Sequence, residues 1–117
     1  LQVTGMENLF CAGEKAGLLV GHTEAVVTGI LAGHNAVRWA LAKPRVTIPT
    51  SLAIGDAIHY VREAMETEEG MSQKFTFSGA TYFKHMKEQG LYLTDIPAIR
   101  QKVEAAGMTD FFSKPIA

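Results

Sequence analysis

NLFCAGEKAGLLVGHTEAVVTGILAGHNAVR, residues 8–38, is the stretch on which the reading of this chain turns. Leu9 to Ala12 is a continuous apolar run stopped by Gly13, too short for a helix and suited to a strand covered on both faces. Gly17 and Gly21 punctuate the loop that follows, where the backbone must turn through positive φ or approach a ligand closely. Thr23 or His22 then stands at a helix start, with Glu24 in the first turn complementing the helix dipole. A short strand, a glycine-rich turn and a long helix point a helix N-terminus at an anionic or electron-rich ligand. Glu14 falls where the strand opens into the loop, at the edge of any such crevice.

The helix is predicted from Thr23 to about Ala42 and ends before Pro44, because the residue preceding a proline disfavours the helical region. Ala25, Gly29, Gly33, Ala36 and Ala40 recur at three- and four-residue spacing and allow close backbone approach, the pattern of a helix lying tight on a sheet. Val26, Val27, Ile30, Leu31, Val37 and Leu41 add apolar surface on more than one side. Such a helix is expected to be nearly fully buried in a larger fold, and an isolated chain would leave part of that surface uncovered.

The remainder reads as helical. Arg45 to Pro49 is an extended connector, and a second helix starts at Thr50 or Ser51 with Leu52, Ile54, Ile58, Val61 and Met65 on its buried face and Asp56, Arg62, Glu63 and Glu66 outside. Glu66 to Glu69 is expected in a solvated loop ended by Gly70. Lys74-Phe75-Thr76-Phe77 alternates polar and aromatic residues and reads as a short strand or extended arm. Ser78 is placed to cap a helix from Gly79 to Gln89, and Thr94-Asp95-Ile96-Pro97 opens another that runs to Ala106 with Ile96, Ile99, Val103 and Ala106 inward. Phe111 and Phe112 are expected to dock on the body. The fold predicted for the chain on its own is mainly α, about four helices with one or two short strands.

Three groups of residues carry a resemblance. Asn8-Leu9-Phe10-Cys11-Ala12-Gly13-Glu14, then Gly21-His22-Thr23-Glu24-Ala25, then Gly29 to Ala36 resemble the last FAD-binding segment of a flavoprotein family. That family includes the glucose-inhibited division protein A and the folate-dependent tRNA uracil methyltransferase. In it, this segment closes a two-dinucleotide-binding-type FAD domain. The resemblance implies a FAD-dependent oxidoreductase of α/β parent fold, of which this chain is the C-terminal part. Residues 1–43 would be the last strand, turn and helix of the FAD-binding domain and 44–117 a helical C-terminal region. It implies Ala12, Gly13 and Glu14 on the ribitol and phosphate side, and Gly21, His22 and Thr23 beside the isoalloxazine, where a helix terminus favours the negative charge that a flavin takes up on reduction. Ile48 to Ile58 is similar to the family's proline-containing step into its next helix, more loosely. Glu14 stands where tRNA-modifying members often have Gln.

Composition bounds the alternatives. The 117 residues, 47% of them hydrophobic, suffice for one small domain with its own core. The start at Leu1, and the lack of a Gly-x-Gly-x-x-Gly fingerprint, suit a piece of a longer chain whose pyrophosphate cradle lies upstream. The net charge of −1, from 11 basic and 12 acidic side chains, offers no basic stripe for nucleic acid; Lys43 with Arg45, and Arg100 with Lys102, are pairs and not patches. Docking of tRNA therefore follows from the family and not from the charge. Cys11 is the only cysteine, consistent with a reducing cytosol, and reads as a small buried hydrophobe. His34, His59 and His85 do not stand at metal-ligand spacing, with His34 read as a hydrogen-bonded interior residue and the other two as surface. Phe75, Phe77, Tyr82 and Phe83 lack interleaved basic residues and read as core or interface. No membrane span and no catalytic residue is assigned. The second reading is a helical module binding a protein partner or another copy of itself through the exposed stripe of the first helix.

Overall fold

The computed structural model describes residues 1–13, 19–77 and 79–116. Five helices follow one another: α1 (His22–Ala40), α2 (Ala53–Ala64), α3 (Glu68–Met71), α4 (Ala80–Glu88) and α5 (Ile96–Ala105), with a final 3-10 turn at Phe111–Ser113. Among the described residues, strand pairing is limited to two isolated bridges, Gln2 with Phe10 antiparallel and Leu19 with Phe75 parallel. The chain is thus mainly α, as its sequence predicts.

The N-terminal segment departs from expectation. Val3 N–H donates to the Leu9 carbonyl at 2.8 Å and Cys11 N–H to the Leu1 carbonyl at 2.8 Å, so Leu9–Ala12 is one arm of a small hairpin turning at Gly5. It is not a strand covered on both faces, and Leu9 is exposed. An apolar run becomes a buried strand only where neighbours flank it, and the hairpin supplies one neighbour.

One face of α1 is buried through Glu24, Thr28, Leu31, Ala32 and Asn35. Three of these five are polar, and each of the three is committed to a bond that ties another segment down. Asn35 exchanges two bonds with Val46, donating through Nδ2 to its carbonyl at 2.9 Å and accepting from its N–H at 2.7 Å. The extended connector after α1 is thereby folded back along the helix. His34 packs against the rings of Phe111 and Phe112, centroids 5.3 and 5.2 Å away, in a three-ring cluster that docks the C-terminal turn as expected. Its Nε2 is buried without a hydrogen-bond partner, contrary to the expectation of a bonded interior histidine. Burial, and then the charge of Arg38, hold its pKa below the ordinary imidazole value.

The main core gathers Leu19, Ala57, Val61, Phe75, Tyr82, Met86 and Leu91. Burying each large side chain contributes about 1.5–3 kcal/mol, which is what holds α2 and α4 together across a chain of short elements. Helix α2 reaches the connector because Gly55 lacks a Cβ: one added there would lie well inside van der Waals distance of the Pro49 carbonyl. Asp56 and His85, both expected at the surface, are drawn inward. Asp56 Oδ2 accepts from the Tyr82 hydroxyl at 2.8 Å and pairs with His85 Nε2 at 2.9 Å, while the same hydroxyl reaches the Ala53 carbonyl at 3.1 Å. Burial of the phenol, reinforced by the bond to Asp56, pushes the Tyr82 pKa far up.

Three smaller corrections belong to the C-terminal region. Gly70 is buried within the single-turn α3, capped by Thr67 Oγ1 at 3.0 Å, so the expected acidic loop is partly helical. Gly79, without a side chain, stands at the N-cap of α4, and Ser78 lies outside the described residues. Helix α5 starts with Asp95 accepting from Ala98 N–H at 3.2 Å, yet Ile96 is exposed and not inward, and Ile99 faces α2 and α4 only across an open cleft. Met65 is likewise exposed at the end of α2.

Candidate functional site

The residues singled out by sequence separate into two groups. Ala12 and Gly13 are half-buried beside α1; Gly13, at φ 64, donates its N–H to Thr28 Oγ1 at 2.9 Å, and that hydroxyl donates to the Glu24 carbonyl at 2.7 Å. Thr28 is fully buried and so fixes the hairpin to the second turn of the helix. Glu14 lies outside the described residues. Gly21, His22 and Thr23 form the start of α1 and are exposed, and they line one cleft of about 460 Å³ together with Glu24, Thr76 and Phe77.

Gly21 takes φ 114 and ψ 158 at the N-cap, a conformation that glycine adopts without strain. It offers no capping side chain, so the backbone N–H groups of the first turn, which have no partner within the helix, are left without a side-chain cap. Serine or threonine at this position would occupy those donors. Neither His22 nor Thr23 caps the helix, and both are exposed at the rim.

Glu24 is the residue whose role sequence reasoning understated. It holds the third helical position, from which a glutamate commonly reaches back to its own N-cap. Here its Oε1 instead accepts from the Phe77 N–H at 3.0 Å and from the Thr76 hydroxyl at 3.1 Å, and the side chain is 3% exposed. Val20 N–H donates to the Phe75 carbonyl at 2.9 Å beside the Leu19–Phe75 bridge. The Lys74–Phe77 segment is therefore an extended arm laid across the start of α1, as one of its two sequence readings had it. A Cβ on Gly21 would overlap the Glu24 carboxylate, so Gly21 serves both the turn and the carboxylate's seat. Glutamate at the third helical position and the alternation around Thr76 were visible in sequence; their pairing across fifty residues was not.

Phe77 also faces a second cleft, of about 380 Å³, between α2, α4 and α5, whose walls include Leu52, Met86, Leu91, Ile99 and Val103. On the side of α1 opposite Glu24 and Thr28, Val26, Ile30 and Val37 are 61%, 48% and 47% exposed. No atom would meet a Cβ at Gly29 or Gly33. Of the small-residue stripe predicted to lie on a sheet, Ala25 meets the hairpin at Gly13, while Gly29 and Gly33 face open space among the described residues. Nor do those residues contain a group of three or more His, Cys, Asp or Glu placed to hold a metal ion. Among the described residues no helix is long and apolar enough to cross a membrane.

Residues 1–44 match the family described as glucose inhibited division protein A. Over this segment the chain is similar to the GidA/TrmFO family. Its similarity to curated relatives extends over about half the chain: 40% identity over 58 residues with the methylenetetrahydrofolate–tRNA-(uracil-5-)-methyltransferase TrmFO of Anoxybacillus flavithermus, and 43% over 56 residues with that of Symbiobacterium thermophilum. The TrmFO of Prochlorococcus marinus is 39% identical over 64 residues. These alignments cover 50%, 48% and 55% of this chain but 13%, 12% and 14% of the relatives. The chain thus spans about an eighth of the length of the family members it matches. No solved structure matches it significantly. The GidA-type segment contains the hairpin, Gly21 and all of α1, and it stops short of Thr76 and Phe77.

Proposed function

We propose that this chain is the C-terminal part of a FAD-dependent oxidoreductase of the GidA/TrmFO family, cytoplasmic, in which the start of α1 closes the FAD site against the flavin ring. The family match over residues 1–44 is the observation that carries the reading. The local geometry suits it: a positive-φ glycine, a first helical turn without a side-chain cap and a cleft of about 460 Å³, within the range of small-molecule sites. When bound, FAD supplies the redox chemistry. The chain's own residues bind and orient. Gly21, His22 and Thr23 present first-turn donors to a ring carbonyl edge, and Ala12, Gly13 and Glu14 stand on the ribitol side. The substrate-contacting residues belong to the rest of the polypeptide.

The test is FAD titration of the complete polypeptide, wild type against Gly21→Val. The wild type is expected to retain FAD with its visible absorbance bands, and the variant to lose most of it, since valine at φ 114 strains the turn and fills the cleft mouth. A complete polypeptide without flavin absorbance after reconstitution, or a variant with unaltered occupancy, refutes the assignment. The relatives' activity on tRNA makes tRNA a candidate partner, although the near-neutral charge gives no basic surface for it. A gel shift of the complete polypeptide with tRNA at physiological salt decides that point, and no shift removes tRNA.

A second reading rests on the exposed Val26, Ile30 and Val37 stripe: a helical module that associates through this face with another protein or another copy of itself. Sedimentation of wild type and Ile30→Glu distinguishes it, association being lost in the variant; a wild-type chain that sediments as a monomer without partners counts against it.

A further inference from the structure

We propose that the Thr76–Phe77 arm, latched by Glu24, forms the outer wall of the flavin-ring site, so that the site is assembled from two segments about fifty residues apart. This deepens the FAD reading above and rests on it. Three observations converge. Thr76 and Phe77 line the same cleft as Gly21, His22 and Thr23. Both are bonded through one carboxylate oxygen of Glu24, which is buried in the first turn of that helix. The arm is registered a second time by the Leu19–Phe75 bridge and the Val20 to Phe75 bond, immediately before Gly21. A surface loop resting on the helix by chance would not be held at three successive residues, nor by a side chain withdrawn from solvent.

The arrangement assigns distinct roles. Glu24 is a positioning residue: its carboxylate points into the arm and not into the open cleft. Phe77 lines both this cleft and the apolar one between α2, α4 and α5, and its ring is anchored in the core, edge-on to Tyr82 at 5.8 Å, which makes it a fixed partition between the two. Gly21 leaves room for the latch, since a Cβ there would overlap the Glu24 carboxylate.

The experiment compares the complete polypeptide as wild type, Glu24→Ala, Glu24→Gln and Phe77→Ala in two readouts: FAD affinity with the emission of the bound flavin, and the rate of tryptic cleavage after the exposed Lys74. Glu24→Ala is expected to speed cleavage after Lys74 and to weaken FAD binding about tenfold, as loss of bonds to a buried carboxylate would. Glu24→Gln keeps an oxygen that accepts both bonds and is expected to restore both values towards wild type. Phe77→Ala is expected to leave Lys74 protected while changing the emission of the bound flavin, which a merely structural arm would not do. Wild type that binds FAD, with Phe77→Ala unchanged in affinity and emission, overturns the wall. So does a Glu24→Ala protein whose arm is cleaved readily while FAD affinity stays put. Should Glu24→Ala fail to fold, Thr76→Val and Phe77→Ala decide the matter by the same readouts. Wild type that binds no FAD overturns the flavin reading itself, and the wall with it, a result separable from the others because no variant is needed to see it.

Discussion

Removing the Asp56 side chain tests what joins α2 to α4. Asp56 Oδ2 takes the Tyr82 hydroxyl at 2.8 Å and His85 Nε2 at 2.9 Å, and Tyr82 is 1% exposed. Two bonds to a charged acceptor would contribute about 1.5–3 kcal/mol each if nothing replaced them. Both donors have a partial substitute, however. Tyr82 retains the Ala53 carbonyl at 3.1 Å, and the His85 side chain, 24% exposed, can turn to water. Asp56→Ala is therefore expected to cost about 2–3 kcal/mol, and Tyr82→Phe about 1–2 kcal/mol. Because the two residues share one bond, the double variant should fall short of the sum by about 1 kcal/mol. Urea unfolding followed by circular dichroism measures this, as a lowered midpoint at unchanged slope. Single-variant costs that add to within about 0.3 kcal/mol would show that the residues do not act on each other, and the reasoning would fail.

Gly55→Ala drives a Cβ into the Pro49 carbonyl and is expected to destabilise by about 2–3 kcal/mol, seen as a lowered melting temperature; an unchanged one would mean the connector moves aside freely. Asn35→Ala leaves the Val46 N–H and carbonyl without partners, at a cost of about 1–3 kcal/mol, and the Val46 amide should exchange with deuterium much faster than in wild type. His34 has its pKa lowered by burial and by Arg38, so on acidification the unfolded chain takes up this proton first. Its contribution is full above pH ~6.5, falls as pH drops through that value, and levels off once the folded imidazole titrates. Melting temperatures of His34→Phe and wild type should therefore converge or cross as pH falls, and a constant gap would refute it.

What was legible in the sequence is what depends on neighbours in the chain. Helix α1 follows from apolar spacing, Gly21 and Pro44; α5 from Asp95 and Pro97; the docking of Phe111 and Phe112 from two large apolar side chains near a polar end. What was not legible depends on pairings across distance. Asp56 reads as an outward residue of α2 until Tyr82 and His85 arrive from α4 to satisfy it, and a carboxylate goes inside only with such partners. Leu9–Ala12 reads as a buried strand, but burial needs flanking strands that the hairpin does not provide. Among the candidate site residues, the cluster Gly21, His22 and Thr23 is contiguous in sequence and could be found there. Thr76 and Phe77 join it only through Glu24, which reads from sequence as a first-turn dipole partner and acts in the fold as an acceptor for a distant segment.

That acceptor bears on how the start of α1 can act on a ligand. A helix N-terminus is equivalent to about half a positive charge, concentrated in its first turn. Glu24 puts a carboxylate in the same turn, buried where water screens it poorly, and its two donors from the arm disperse only part of its charge. The two fields oppose each other at the cleft. Attraction for an anion is consequently weaker here than at a bare helix end of the kind that cradles phosphate. What remains undiminished is the direction of the first-turn N–H groups and the shape given by Gly21 and Phe77. Those features favour a ligand that is neutral, planar and edged with acceptors over one that is compact and charged. A flavin ring has that chemistry and a pyrophosphate does not, which is why the proposed FAD reading assigns this terminus to the ring end of the cofactor.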